Sequence, residues 1–361
     1  MLRCVSPGFC VASALSRLPA MILPPTDDYL RSESCCRVPG WAGAQVRLDL
    51  IVKGGSDRYY YRATAAGGRG PESAIIMVYT DKRADNPAFF AATEVLACCG
   101  VRILHLYHHD AGLRIAWMED LGRDDLWECR QTGPVLPLYR DTLAQVAQLH
   151  RHDAAALPED LRRWLQPCFD AGLYQWEQSY FFDQFANRFS SLPKAELEEL
   201  RGAAPFRDMA ESLAALPRRL VHRDFQSQNI IVRDGKAWMI DYQGVREGRP
   251  EYDVASLLYD PYVNLTPDER ADLFSYYQTL RREADGSAVT AEVFAMAACQ
   301  RLMQALGAYG KLGAGDGKTA FLRHIPAAVA NLRTILASSG LLPGLSEALV
   351  LREMGPRPTL S

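Results

Sequence analysis

The sequence predicts a two-lobed α+β fold, in which a small antiparallel sheet leads and a larger helical body follows. Three observations carry this expectation. From about Gln45 to Trp117 the chain reads as short strands broken by glycine-rich turns; beyond Gly122 it is mostly helical in period; and one strand-and-loop island, Arg219 to Gly244, interrupts the helices. A length of 361 residues, at roughly 150 per domain, fits two units or one two-lobed unit. Hydrophobic residues make up 48% and charged residues 23%, an ordinary globular balance that excludes a fibrous or largely disordered chain. The net charge of -3 provides no field for holding a phosphate polymer, so nucleic acid is not an expected partner. No apolar run approaches the ~18 residues of a membrane span. Nine cysteines at irregular spacing, with no C-x-x-C, predict reduced thiols and a cytoplasmic location rather than a metal site or a disulfide framework.

The first 21 residues are expected to be a disordered extension, or the product of an upstream start codon with Met21 the natural start, rather than an export signal, because Pro7, Gly8 and Arg17 interrupt the apolar stretch. The N-lobe is then expected over 22–117. Val46 to Val52 alternates in polarity, as a half-buried strand does. The turn cluster Gly54-Gly55-Ser56-Asp57 leads into Tyr59-Tyr60-Tyr61, whose β-propensity is high. The glycine-rich loop 67–71 precedes a third strand, Ser73–Tyr79. A helix should start at Asn86-Pro87, bury Phe89, Phe90, Thr93 and Leu96 on one face, and end at Gly100. Val101–Leu106 and Leu113–Met118 read as two further strands, with His108-His109-Asp110 in a solvated turn between them.

Residues 118–122 read as a connector, and 123–361 as the helical lobe. Helical period is visible over 137–151, 195–216, 267–284, 290–312 and 319–340. The cleft between the lobes is the expected ligand site.

The island holds the chemistry. An apolar strand approaches His222, Asp224 and Asn229; a second strand, Ile230–Val232, turns at Asp234-Gly235; a third ends at Asp241. The hairpin therefore sets Asn229 beside Asp241. Three oxygen-bearing side chains converge with no histidine–cysteine set, and hard oxygen donors suit Mg²⁺ completed by phosphate and water.

The run His222-Arg223-Asp224-Phe225-Gln226-Ser227-Gln228-Asn229, followed by Asp241, resembles the catalytic and metal-binding segments of the protein-kinase-like phosphotransferases of the aminoglycoside and choline kinase branch. Their pattern H-x-D-x-x-x-x-N is matched, and the metal-binding Asp follows at the family's distance. The resemblance implies transfer of a phosphoryl group from ATP, with Mg²⁺, to a hydroxyl of a small molecule. It implies that Asp224 is the base, that Asn229 and Asp241 hold the metal, that His222 braces the loop and that Asp253 accepts hydrogen bonds from the loop backbone. Arg223, where small-molecule kinases commonly have glycine, reads as a local salt-bridge partner. In the N-lobe the resemblance places Gly54, Gly55 and Ser56 over the phosphates, Glu94 where a glutamate pairs with the nucleotide lysine, and Glu119 and Leu121 in the connector that reads adenine. Strand 73–79 has no lysine, so Lys82, Arg58 or Lys53 is expected to neutralise the phosphates.

The segments His-Arg-Asp-Phe-Gln-Ser-Gln-Asn, Ile-Asp-Tyr-Gln-Gly and Glu-Tyr-Asp-Val-Ala-Ser-Leu-Leu-Tyr-Asp-Pro-Tyr-Val look most like those of bacterial kinases that phosphorylate N-acetylmuramate and N-acetylglucosamine at the anomeric hydroxyl. That resemblance implies an N-acetylated amino sugar acceptor. The residues around the expected pocket, Tyr252, Asp260 and Tyr262 with Arg246 and Arg249 nearby, read as a mixed polar and aromatic surface suited to a sugar ring and to a lactyl carboxylate. The alternatives are an aminoglycoside or choline-type acceptor, or nucleotide binding without transfer. The complete Asp224–Asn229–Asp241 set argues against the last, since a binding module needs no base.

Overall fold

The computed structural model describes residues 25–51, 58–82, 85–286 and 289–352. The glycine turn with Lys53, Gly54, Gly55 and Ser56, and the extension over 1–21, lie outside the described residues.

Five strands form one antiparallel sheet: β1 (Gln45–Ile51), β2 (Tyr59–Ala66), β3 (Ser73–Val78), β4 (Leu106–Asp110) and β5 (Ile115–Glu119), in spatial order β1-β2-β3-β5-β4. Strand alternation sends Ala63, Ala74, Ile76, Val78 and Trp117 to the outer face. There they meet α1 (Asp27–Arg37), a helix the sequence did not announce, through Leu30, Val38 and Trp41. Thr26 caps α1 by accepting from the Tyr29 N–H, and Trp117 donates its indole N–H to Ser34 at 3.0 Å. Leu30 is fully buried, so Leu30→Ala would cost about 2–5 kcal/mol.

The inner face presents Tyr60, Arg62, Ile75 and Met77. Against it lies α2 (Asp85–Cys98), whose Phe89 stacks on Tyr242 of the helical lobe at 5.2 Å while Thr93 hydrogen-bonds the Tyr242 hydroxyl at 3.1 Å. The core beneath is continuous from α2 through α3 (Leu126–Thr132) and α4 (Leu136–Leu149) into the embedded hairpin.

Two sequence expectations are corrected here. His108, His109 and Asp110 belong to β4 and not to a turn. The strand expected over Val101–Leu106 begins only at Leu106 and has a register shift between Leu106 and His108; His109 stacks on Phe90, and the turn falls at 111–114. The Cys98 sulfur is disulfide-bonded, whereas six other described cysteines are free thiols, so the all-reduced expectation does not hold.

The helical lobe packs α5 (Ala171–Phe181), continued by a π turn at 182–186, against α6 (Lys194–Arg201) and α7 (Ala204–Ala215). The single helix expected over 195–216 is two, because Pro205 has no N–H to continue a ladder and instead starts α7. Strand β6 (Arg219–Val221) pairs with β9 (Arg246–Gly248), and β7 (Ile230–Arg233) with β8 (Lys236–Met239). Then follow α8 (Pro250–Leu258), α9 (Pro267–Asp285), α10 (Ala291–Gly310) and α11 (Ile325–Ser339). Helix α10 crosses the π turn so closely that a Cβ at Gly310 would lie 2.1 Å from the Gln184 carbonyl oxygen, which only glycine permits.

Candidate active site

Asp224 sits in the loop between β6 and β7, and the loop is held from beneath by α8. Asp253, fully buried in the first turn of α8, accepts the N–H of His222 at 2.6 Å and the N–H of Arg223 at 2.8 Å. Its Oδ2 also lies 3.1 Å from Nε2 of the buried His150, whose Nδ1 is 2.7 Å from the Tyr277 hydroxyl. Arg249, whose side chain has no acceptor, is the N-cap residue of α8, so the helix starts without a side-chain cap. The His222 ring reaches across to the Ile240 carbonyl at 3.0 Å, tying the loop to the strand that leads to Asp241.

Asp260, at the other end of α8, is likewise committed to the loop. Its Oδ2 accepts both the N–H and the hydroxyl of Ser227, at 2.8 and 2.5 Å, and its Oδ1 accepts the Tyr262 N–H. The carboxylate is buried and faces protein donors, which changes the acceptor contact expected from sequence into a loop tie. Tyr252 is buried too, its hydroxyl donating to Glu177 at 3.0 Å, while Tyr262 packs on His324 at 4.2 Å and is half-buried.

Asn229 donates its amide N–H to the Asp224 carbonyl at 2.8 Å, which leaves its Oδ1 as an acceptor. The Ile240 N–H bonds the Asn229 carbonyl, so Asp241 follows directly beside Asn229. Asp241 is exposed, and one of its oxygens accepts from Gln243 at 2.9 Å. No group of three or more His, Cys, Asp or Glu suited to a metal occurs among the described residues. The donors present are an amide oxygen and one carboxylate, a hard-oxygen pair that fits a Mg²⁺ completed by phosphate oxygens and water.

The backbone is bent to achieve this. Arg223 and Asp241 have φ of 78° and 62°, a region that costs a non-glycine residue about 1–3 kcal/mol. Gly244 lies where the two meet: a Cβ there would be 3.5 Å from the Arg223 side chain and 3.8 Å from Asp224 Oδ2.

Burial pushes the Asp224 carboxyl up, but the neighbouring Arg223, Arg301, His222 and Arg246 outweigh it, and the group is held below the usual carboxylate range. Arg223 approaches Asp224 Oδ2 at 3.4 Å. Arg246, bonded through Nε to the Gly244 carbonyl, is lowered to about 10, by burial first and then by Arg223.

The sheet side is arranged differently. Glu94 is exposed on α2 with no ion-pair partner among the described residues, and burial and the neighbouring Asp160 carboxylate raise its pKa. Arg58 is buried and donates to Asn86 at 2.7 Å; Lys82 stands exposed in the turn after β3. Sequence reasoning missed the cation on the inner face, Arg62. It forms a two-bond pair with Asp120, at 2.6 and 3.0 Å, and donates to the Gly122 carbonyl at 2.9 Å, so β2 grips the connector. Strand alternation between Tyr60 and Ile75 would have pointed to it. The Glu119 side chain binds Arg233 at 2.6 Å and the His105 N–H at 3.0 Å, and Leu121 is buried.

This chain is similar to known phosphotransferases in sequence and in fold. It is 24% identical over 339 residues to the N-acetylmuramate/N-acetylglucosamine kinase of Pseudomonas putida, covering 92% of this chain and 94% of that one. The choline kinase of Cryptosporidium parvum superposes with a TM-score of 0.59 at 11% identity, over 90% of this chain and 99% of that one. The complex of APH(2″)-IIa with streptomycin and ATP superposes with a TM-score of 0.53 at 14% identity, over 83% and 97%. The two structural likenesses speak for the two-lobed kinase-like fold. Residues 48–287, which contain the sheet, the catalytic loop and α8, match the model of the phosphotransferase enzyme family, and the chain belongs to that family.

Proposed function

We propose that this small-molecule kinase transfers the γ-phosphoryl group of ATP to the anomeric hydroxyl of an N-acetylated amino sugar. The observation that carries the reading is the similarity, over nearly the whole chain, to a kinase named for those two sugars, on a site in which Asp224, Asn229 and Asp241 adjoin. Asp224 receives the acceptor hydroxyl and its proton as the O–P bond forms. Its ionised state near neutral pH leaves it free to do so. Asn229 Oδ1 and Asp241 would hold Mg²⁺, which when bound neutralises the phosphate oxygens. The connector 118–122, braced by Arg62, would take the adenine against the inner face of the sheet, and the glycine turn would lie over the phosphates. In this reading 22–117 is the nucleotide-covering lobe and 123–361 holds the acceptor.

A cationic acceptor of the aminoglycoside type fits less well, because the groups pressing on Asp224 are themselves cations. Coupled ATP-consumption assays with N-acetylmuramate, N-acetylglucosamine, kanamycin and choline test the proposal. Turnover on either amino sugar at least tenfold above kanamycin is expected; the reverse order would overturn the sugar reading. Mg·ATP binding with no turnover on any acceptor would leave only a nucleotide-binding module.

A further inference from the structure

Two buried arginines near Asp224 make no ion pair among the described residues. Arg246 and Arg301 are each only 7% exposed. Arg246 uses Nε on the Gly244 carbonyl and lies over the Phe169 ring at 5.3 Å; its two terminal nitrogens have no hydrogen-bond partner among the described residues. Arg301, on α10, donates from Nε to the Ser256 hydroxyl at 2.9 Å and from one terminal nitrogen to Gln304. Its other terminal nitrogen has no partner among the described residues. Neither guanidinium has a carboxylate within ion-pairing distance among the described residues. The buried carboxylate nearest in charge to both, Glu177, is already engaged by Tyr252 and Gln300, each at 3.0 Å. Arg249, which the sequence also suggested for an anionic substituent, is consumed by Glu251 at 2.8 and 2.9 Å.

Asp224 and Glu177 act on both guanidinium groups at longer range, but neither supplies the paired N–H···O contacts that a buried arginine otherwise finds. Arg246 is tied to Asp224 through Gly244, which Asp224 Oδ2 and Arg223 both approach closely. An anion bound by these guanidinium groups would therefore lie close to the hydroxyl that Asp224 receives. Guanidinium presents parallel N–H groups that match a carboxylate.

We infer that Arg246 and Arg301 form a carboxylate-binding subsite that selects an acidic acceptor sugar over its neutral counterpart. The inference rests on the proposed sugar-kinase reading and deepens it. The same chemistry would suit the transferring phosphoryl group, and the test separates the two sources. A carboxylate subsite affects only an acceptor that has a carboxylate, whereas a phosphoryl contact affects every acceptor alike.

The experiment compares N-acetylmuramate with N-acetylglucosamine in the wild type, Arg301→Met, Arg301→Lys and Arg246→Gln. Turnover is followed with Mg·ATP, and sugar binding is followed by calorimetry with Mg·ADP present. Arg301→Met is expected to raise KM and Kd for N-acetylmuramate at least tenfold more than for N-acetylglucosamine, with Arg301→Lys recovering part of the difference. Should Arg301→Met fail to fold, Arg246→Gln makes the same comparison. If the wild type phosphorylates neither sugar yet binds the acid more tightly in an Arg301-dependent way, the sugar-kinase reading fails and the subsite stands. Equal losses for both sugars, or no loss for either, would overturn the subsite.

Discussion

The loop half of the site and the sheet half are built to different standards of rigidity. Around Asp224, two buried carboxylates hold four loop groups: Asp253 takes the N–H of His222 and of Arg223, and Asp260 takes the N–H and hydroxyl of Ser227, all between 2.5 and 2.8 Å. The two strained backbone positions that flank the site, Arg223 and Asp241, also belong to this half. On the sheet side Glu94 has no described ion-pair partner, Lys82 is exposed, and Arg58 is turned toward Asn86. In the proposed reading, rigidity is concentrated where a proton and a phosphoryl group would meet, which demands placement within a fraction of an ångström. The described groups assigned to the nucleotide, Glu94 and Lys82, are held by fewer contacts.

The largest effect should therefore come from the loop half. Asp224→Asn keeps the shape but not the base, and turnover should drop by about 10²–10⁴-fold, with nucleotide affinity within twofold of wild type. Asp241→Ala should abolish Mg²⁺-dependent nucleotide binding, measured as the loss of the Mg²⁺ increment in an ADP titration. Because Asp224 is held below the usual carboxylate range, its acid limb should lie below that range in the pH profile of kcat/KM. Arg301→Met removes one of the cations responsible and should move the limb upward. A Lys82→Ala variant as damaged as Asp224→Asn would erase the contrast between the halves.

Next in size is the support itself. Asp253→Ala strips two backbone N–H groups and His150 of their buried acceptor. Removing one member of such a buried set costs about 3–5 kcal/mol. Denaturant unfolding should show that loss together with a fall in kcat. A kcat fall without a stability loss would mean that the loop is held by other contacts.

Much of the loop half was legible in the sequence because it is local. The run from His222 to Asn229 and the hairpin to Asp241 depend on spacings that a strand–turn–strand geometry fixes, and Asp253 lies one short connection further on. Asp260 was noticed but given the wrong contact, since an aspartate at the end of a helix reads the same whether it faces a ligand or Ser227. Arg301 could not be found, because its relation to Asp224 spans much of the C-terminal chain and exists only when α10 crosses beside α8. Helix α1 escaped for a related reason: its polar residues dominate the pattern, and only Leu30, Ser34 and the following Val38 and Trp41 are buried against the sheet. Arg62 sat in plain view on an alternating strand, but its value depends on meeting Asp120 across the lobe.

On the sheet side, effects should be modest. Glu94→Gln should leave KM for ATP within about twofold, as expected of a carboxylate with no ion pair to lose. Replacing Lys53, Arg58 and Lys82 together by Ala should raise that KM severalfold. An unchanged KM would show that backbone amides and the metal alone suffice, which would widen the difference between the halves.

The smallest effect separates the halves by pH. His109 in the sheet half and His324 in the helical half are both lowered to about 4, burial being the first cause for each. A histidine with a depressed folded-state pKa binds fewer protons in the native than in the unfolded chain between that value and about 6.5. Its contribution to stability is therefore present above pH 6.5 and is lost as the pH falls toward 4. His109 is fixed by the Tyr79 hydroxyl at 2.7 Å and by stacking on Phe90, His324 by packing on Tyr262. His109→Phe and His324→Phe each remove one such group while keeping an aromatic ring. Each should reduce the drop in melting temperature between pH 7.5 and pH 5 by a few degrees. If the lobes unfold as separate units, calorimetry should assign the His109 change to one transition and the His324 change to the other. A single transition that both variants shift alike would mean that the core running from α2 through Tyr242 couples the lobes, and that their difference in rigidity stops at the site.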